Sequence, residues 1–164
     1  MMKRKSIAAG LGALAVTAAM AVVVQAQPPT ESPQLPEASV LASKLDAVDG
    51  AGVSAEARGN SISGAGPAPR PALDPRGIGP EITVTNKVTE VSAVGPNRLV
   101  ATRTIKYVFP NGKVVETDPG KVPFVREADG EWRIDIAYLC AQSAAMEDLG
   151  RERGHAVEPD PGCV

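Results

Sequence analysis

The chain is short of the residues from which most active sites are made. Its 164 residues include a single His, two Cys, one Trp, two Tyr and two Phe. A metal centre needs several His, Cys or carboxylate side chains at convergent spacing. His155 lies in the polar stretch Arg151-Glu152-Arg153-Gly154-His155, and Cys140 and Cys163 are far apart, so no metal ligand set and no cofactor site is expected. A serine nucleophile would sit in a Gly-x-Ser-x-Gly turn, and Ser61-Ile62-Ser63-Gly64 does not supply one. Gly64-Ala65-Gly66 is followed by Pro67 rather than Lys-Ser/Thr, which excludes a phosphate-cradling loop. Clustered positive charge is missing as well. The formal net charge is −2, with basic and acidic residues interleaved, so the counterion release that drives nucleic-acid binding has no basic patch to act through.

What is present begins at the amino terminus. Met1-Met2-Lys3-Arg4-Lys5 is basic, Ile7 to Val24 is apolar and rich in Ala, and Val24-Gln25-Ala26 ends on small residues before the polar Gln27-Pro28-Pro29. This is the pattern of an export signal cleaved between Ala26 and Gln27. It predicts a secreted or cell-envelope protein whose mature form does not span the membrane. The apolar run is also just long enough to cross a thin bilayer as an uncleaved anchor. No cysteine follows it, which excludes a lipid anchor there.

Beyond the signal at residues 1–26, a Pro-rich linker covers 27–37 and an α+β domain covers 38–149. That domain carries a Pro/Gly-rich loop at 64–80, and a charged, Gly/Pro-punctuated tail occupies 150–164. One helix is expected after Pro36-Glu37. Val40, Leu41, Leu45 and Val48 form an apolar stripe over about three turns, with Lys44, Asp46 and Asp49 on the wet side, until Gly50 stops it.

The second half reads as strands. Ile82, Val84 and Val88 alternate with threonines, and Leu99, Ala101, Ile105, Tyr107 and Phe109 share one phase. Gly95-Pro96-Asn97 supplies a turn between them. Asn111-Gly112 predicts a type I′ hairpin, Asp118-Pro119-Gly120 breaks or bends the returning strand, and Val122 to Val125 resume it. Asp129-Gly130 marks another hairpin before Trp132, Ile134 and Ile136. The expectation is an antiparallel meander of four strands with a helix on one face, an α+β fold. Leu45, Tyr107, Phe124, Trp132, Ile134 and Ile136 are the expected core or pocket. Arg103, Lys106, Arg133 and Asp135 are expected on the solvated opposite face.

These segments also resemble the secreted low-molecular-weight antigens of mycobacteria and related actinobacteria. The resemblance rests on Lys5 to Leu11, Leu41 to Leu45, Val53-Ser54 through Gly59-Asn60, Ile82 to Asn86, Val122 to Val125 with Gly130-Glu131-Trp132, and Ser143 to Leu149. It implies a cystatin-like or NTF2-like fold, export and immunogenicity, in a family with no established enzymatic activity. The chain departs from that pattern between Pro67 and Pro80, where a second helix before the first strand would be expected.

Two further expectations complete the reading. In an oxidising compartment Cys140 and Cys163 pair to tether the tail; the alternative is a buried thiol at Cys140 with Cys163 free or joining two chains. The functional expectation is a non-catalytic module holding an apolar small molecule or lipid, or presenting its sheet to a protein partner. The competing reading is an NTF2-like isomerase with an Asp base and a Tyr acid, for which Asp135, Tyr107 and Tyr138 are the candidates.

Overall fold

The computed structural model describes residues 34–64, 79–156 and Cys163, all within one unit, Pro33–Val164. The signal segment with the Ala26/Gln27 junction, linker residues 27–33, loop residues 65–78 and tail residues 157–162 and 164 lie outside the described residues.

Helix α1, Ala38–Asp49, forms where the apolar stripe predicts it. Leu41, Leu45 and Val48, spaced i, i+4, i+7, are its buried residues. Val40 falls off the stripe and is exposed. The helix ends at Gly50, whose N–H donates to the Asp46 carbonyl at 2.8 Å. A Cβ on Gly50 would stand 2.6 Å from that carbonyl oxygen, so this close approach requires glycine. A short helix α2, Ala55–Gly59, follows. Its N-cap Ser54 accepts from Ala57 N–H at 3.1 Å.

Five antiparallel strands make one sheet: β1 Thr83–Gly95, β2 Arg98–Val108, β3 Val114–Glu116, β4 Gly120–Arg126 and β5 Trp132–Ile134. The order is β1-β2-β4-β5, with β3 also paired to β2. The expected four-strand meander is therefore corrected to five strands by the break at Asp118-Pro119. On one side of it β3 pairs with Lys106 to Val108 of β2, and on the other β4 pairs with Arg98 to Arg103. Thr117 bridges the gap, donating from its N–H to the Ile105 carbonyl and accepting the Ile105 N–H on its hydroxyl.

The two tight hairpins are not type I′. Positive φ occurs at Gly112 and Gly130 but at no non-glycine residue described, whereas type I′ needs it at both central positions. Gly112 N–H instead donates to the Phe109 carbonyl and Phe109 N–H to the Lys113 carbonyl, and Glu127, Gly130 and Glu131 repeat the arrangement. In the Phe109–Lys113 hairpin Pro110 explains the choice. Its ring fixes φ near −65°, which suits the second position of a type I turn and leaves the left-handed position to the glycine.

Ile136 does not continue the last strand. It opens α3, Ile136–Glu152, a helix absent from the expectation and running past the Gly150 at which the tail was placed. Two side chains start it. The Asp135 carboxylate accepts from Ala137 N–H and the Ser63 hydroxyl from Ile136 N–H, both at 3.0 Å, satisfying donors that a helix start leaves unpaired. Asp135 is in turn paired with Arg98 at 2.5 Å. Far from sitting exposed on the outer face, it is 9% accessible. At the other end Gly154 takes φ 79°, with His155 N–H on the Gly150 carbonyl and Gly154 N–H on the Arg151 carbonyl, a Schellman closure. Cys140 of α3 and Cys163 form a disulfide with Cα atoms 5.3 Å apart, which resolves the alternatives for the cysteines. In the chain-entropy picture such a loop contributes about 3 kcal/mol.

The core unites Leu41, Leu45 and Val48 of α1 with Ile62, Leu99, Ala101, Val122, Phe124, Trp132, Ile134 and Leu139. Ile62 enters because Ser61 to Ser63 runs parallel to β5, exchanging two 2.8 Å hydrogen bonds with Ile134. The expectation of an α+β fold, with helices on a curled antiparallel sheet, is met. Trp132→Ala is expected to cost about 3 to 5 kcal/mol in urea unfolding, against a change of under about 0.5 for Val114→Ala on the exposed β3. An unchanged midpoint for the tryptophan variant would remove Trp132 from the core.

Candidate functional site

Strand alternation gives the sheet an inner face, and the residues on it divide into two halves. Leu99 and Ala101 of β2, Val122 and Phe124 of β4, and Trp132 and Ile134 of β5 are buried in the core that α1 joins. Further along β2 in the same phase come Arg103, Ile105 and Tyr107. Their partners on neighbouring strands are Val88, Asn86 and Val84 of β1, Val115 of β3 and Gly120 of β4. Here burial weakens: Val84, Ile105 and Tyr107 are half-buried, and Val115 and Gly120 are exposed.

The boundary between the halves is polar. Arg103 is only 7% exposed and pairs through Nη1 with the Asp49 carboxylate of α1. The same nitrogen donates to the Asn86 Oδ1 at 2.6 Å. Asn86, also buried, donates from Nδ2 to Asp49 at 3.2 Å and to Asp46 at 3.0 Å. Its backbone N–H donates to Asp46 at 2.7 Å. That last bond satisfies a main-chain donor on β1, at the end of the strand order where an unpaired edge would otherwise invite another chain. Asp46 and Asp49 are thus turned onto the sheet, and Arg103 lies inside; the solvated positions expected for all three are corrected. The cause is phase: 99, 101, 103, 105 and 107 point one way, and a guanidinium inside is tolerable when a carboxylate and an amide meet it.

Tyr107 lies within the electrostatic reach of this cluster. Burial pushes its phenol above the ordinary value, the Asp49 charge adds to the rise and Arg103 opposes it, so the hydroxyl stays neutral at physiological pH. Among the described residues that hydroxyl makes no hydrogen bond.

The sequence-predicted site residues separate accordingly. Leu45, Phe124, Trp132 and Ile134 meet in the core, Ile136 packs against it from the first turn of α3, and Tyr107 stands apart on the open half. Tyr107 and Asp135 are not brought together. Asp135 is bonded to Arg98 at the start of β2, and Tyr107 lies nine residues further along that strand, about 30 Å at ordinary strand rise. Sequence reasoning missed Arg103, Asn86 and Gly120. The available signal was an arginine in register with Leu99, Ala101 and Ile105. No group of His, Cys, Asp and Glu able to hold a metal occurs among the described residues, and no helix among them is long and apolar enough to cross a membrane.

A second charged cluster locks the β4–β5 hairpin. Arg133 pairs with Glu127 and Asp129, each at 2.6 Å, and Glu127 also accepts from Gly64 N–H at 2.5 Å. Arg133, too, is mostly covered rather than solvated. Its hydrogen bonds, reinforced by Glu131 N–H, hold Asp129 at a pKa of about 2, while Asp129 in turn raises Arg133.

No protein-family model matches the chain, and comparison with curated proteins finds no match. Among solved structures, partial similarity is found to a Δ5-3-ketosteroid isomerase from Mycobacterium sp., at 14% identity and a TM-score of 0.28, covering 34% of this chain and 44% of that one. The likeness takes in less than half of the isomerase, and at that score it carries no argument about fold or function.

Two measurements check these arrangements. Arg103→Met should destabilise by about 1.5 to 3 kcal/mol, because it strands the Asp49 charge beside the sheet. It should cost less in an Asp49→Asn background, where no charge is stranded; strictly additive costs in the double-mutant cycle would refute the coupling. Asp129 has a folded-state pKa below its ordinary 3.8, so its contribution to stability is present above about pH 4 and lost as the pH falls through about 2. Asp129→Asn should therefore flatten the decline in urea midpoint between those values. Equal slopes for variant and parent would count against the pairing.

Proposed function

We propose that the protein is an exported, non-catalytic, antigen-like module of the cystatin-like or NTF2-like kind that holds an apolar small molecule or lipid on the open half of its inner face. The observation carrying this reading is that Val84, Ile105, Tyr107 and Val115 lie side by side and incompletely covered, next to a sealed core. An apolar strip beside a few polar groups is the usual make-up of a small-molecule site. Export is supported by the leader sequence, and the Cys140–Cys163 bond suits an oxidising compartment.

Presentation of the sheet to a protein partner ranks lower, since of the exposed Val94, Val114, Met146 and Leu149 two lie on the sheet, on different strands, and two on α3. The isomerase alternative loses its proposed base, because Asp135 is engaged as the cap of α3 and by Arg98. Native mass spectrometry of protein recovered from the culture medium tests the reading. The expected result is a chain beginning at Gln27 that carries an apolar adduct extractable by organic solvent. A retained leader would overturn export, and a chain without any extractable lipid would overturn the ligand reading.

A further inference from the structure

Arg103 is more than nine-tenths buried yet only half engaged. Its Nη1 makes both hydrogen bonds, to Asp49 and Asn86. Its Nε and Nη2 donate to nothing among the described residues. Neither is sealed, because the sealed side-chain polar atom without a partner among the described residues is the Arg58 Nε. One edge of a guanidinium held inside the fold is therefore reached by solvent and lacks an acceptor.

Open space lies at the strand position paired with Arg103. Gly120 is the β4 partner of Arg103 and shares the inward phase of Val122 and Phe124, so both positions face the same side. A Cβ built on Gly120 meets nothing within 4 Å, and its φ is not left-handed. The glycine is not demanded by the backbone; it leaves room. Beyond it along β2 run Ile105 and Tyr107, flanked by Val84 and Val115. From Arg103 to Tyr107 the strand rises about 13 Å, the length of an extended chain of about ten carbons.

The parallel Nε and Nη2 donors suit a carboxylate or a carbonyl, and the local charge separates the two. The inner face already sets two carboxylates, Asp46 and Asp49, against the one guanidinium. Lys106 and Lys121 fall on the opposite strand phase, so neither offsets them. A further negative charge would enter a partly dry site that is already net negative, whereas a neutral acceptor satisfies the donors without that cost.

Resting on the ligand reading above, we infer that the bound molecule carries a neutral carbonyl, as in an ester or ketone, seated on the Nε–Nη2 edge of Arg103 in the gap at Gly120, with its apolar remainder along Ile105 and Tyr107. Titration calorimetry on the full mature chain, with methyl decanoate and sodium decanoate as probes at neutral pH, tests this. The ester is expected to bind about tenfold or more tightly than the carboxylate, the difference set by the cost of bringing a further negative charge beside Asp46 and Asp49. Gly120→Leu fills the gap without touching a hydrogen bond; it should keep the parent circular dichroism and weaken the ester about tenfold. Arg103→Met removes the donors that the carbonyl uses; it should weaken the ester about tenfold and leave decanoate no better bound, because the site is then more negative. Decanoate binding as well as the ester would overturn the carbonyl assignment while leaving an apolar site. Unchanged ester affinity in Gly120→Leu would overturn its location, and failure of both probes to bind the parent would overturn the ligand reading as well.

Discussion

Burial of the Arg103 guanidinium is the constraint around which the rest of this structure is arranged. A cation taken out of water is tolerable only if its environment replaces most of what hydration supplied. Here the replacement comes from two elements distant in sequence, Asp49 at the end of α1 and Asn86 near the start of β1. The requirement fixes α1 in both position and rotation. If Asp49 is to reach Arg103 while Asp46 reaches the Asn86 backbone, then Leu41, Leu45 and Val48 must face the sheet, which is where the core needs them. The apolar stripe decides that α1 packs on the sheet; the polar end decides where along β1 it stops.

The opposite end of β2 has its own tie. Arg98 holds Asp135, Asp135 starts α3, and Ser63 adds the second cap from the segment that pairs alongside β5. One strand thus positions α1 through Arg103 and α3 through Arg98, five residues earlier. Both arginines act through a carboxylate on the helix they place. Because α3 buries little apolar surface, with Leu139 its buried large hydrophobic residue, its attachment rests more on these caps and on the Cys140–Cys163 link than on a packed face.

Much of the fold was legible in the sequence because alternation and turn chemistry act locally. The helix from Ala38, the hairpin positions at Asn111-Gly112 and Asp129-Gly130, the break at Asp118-Pro119 and the buried Phe124, Trp132 and Ile134 all follow from short-range pattern. Two kinds of feature did not. Helix α3 has a weak apolar stripe, so its signal was the cap Asp135, read instead as the next residue of an alternating strand that ends at Ile134. The candidate site was hidden by the rule that charged residues lie outside. Asp46, Asp49, Asn86 and Arg103 lie in separate stretches of the chain, and only the fold reveals that they satisfy one another. The type I′ expectation at Asn111-Gly112 fails for a local reason, the fixed φ of Pro110.

The break at Thr117–Pro119 also shapes how the protein moves. Since β3 pairs with β2 alone and all three of its residues are exposed, the Phe109–Lys113 hairpin can detach without disturbing the ladder between β2 and β4. The β3 segment is therefore held through a single neighbour, and it carries Val115, one wall of the half-covered strip. Separating such a segment costs far less than global unfolding, and it would take that wall away from the strip while the β2–β4 ladder stays paired.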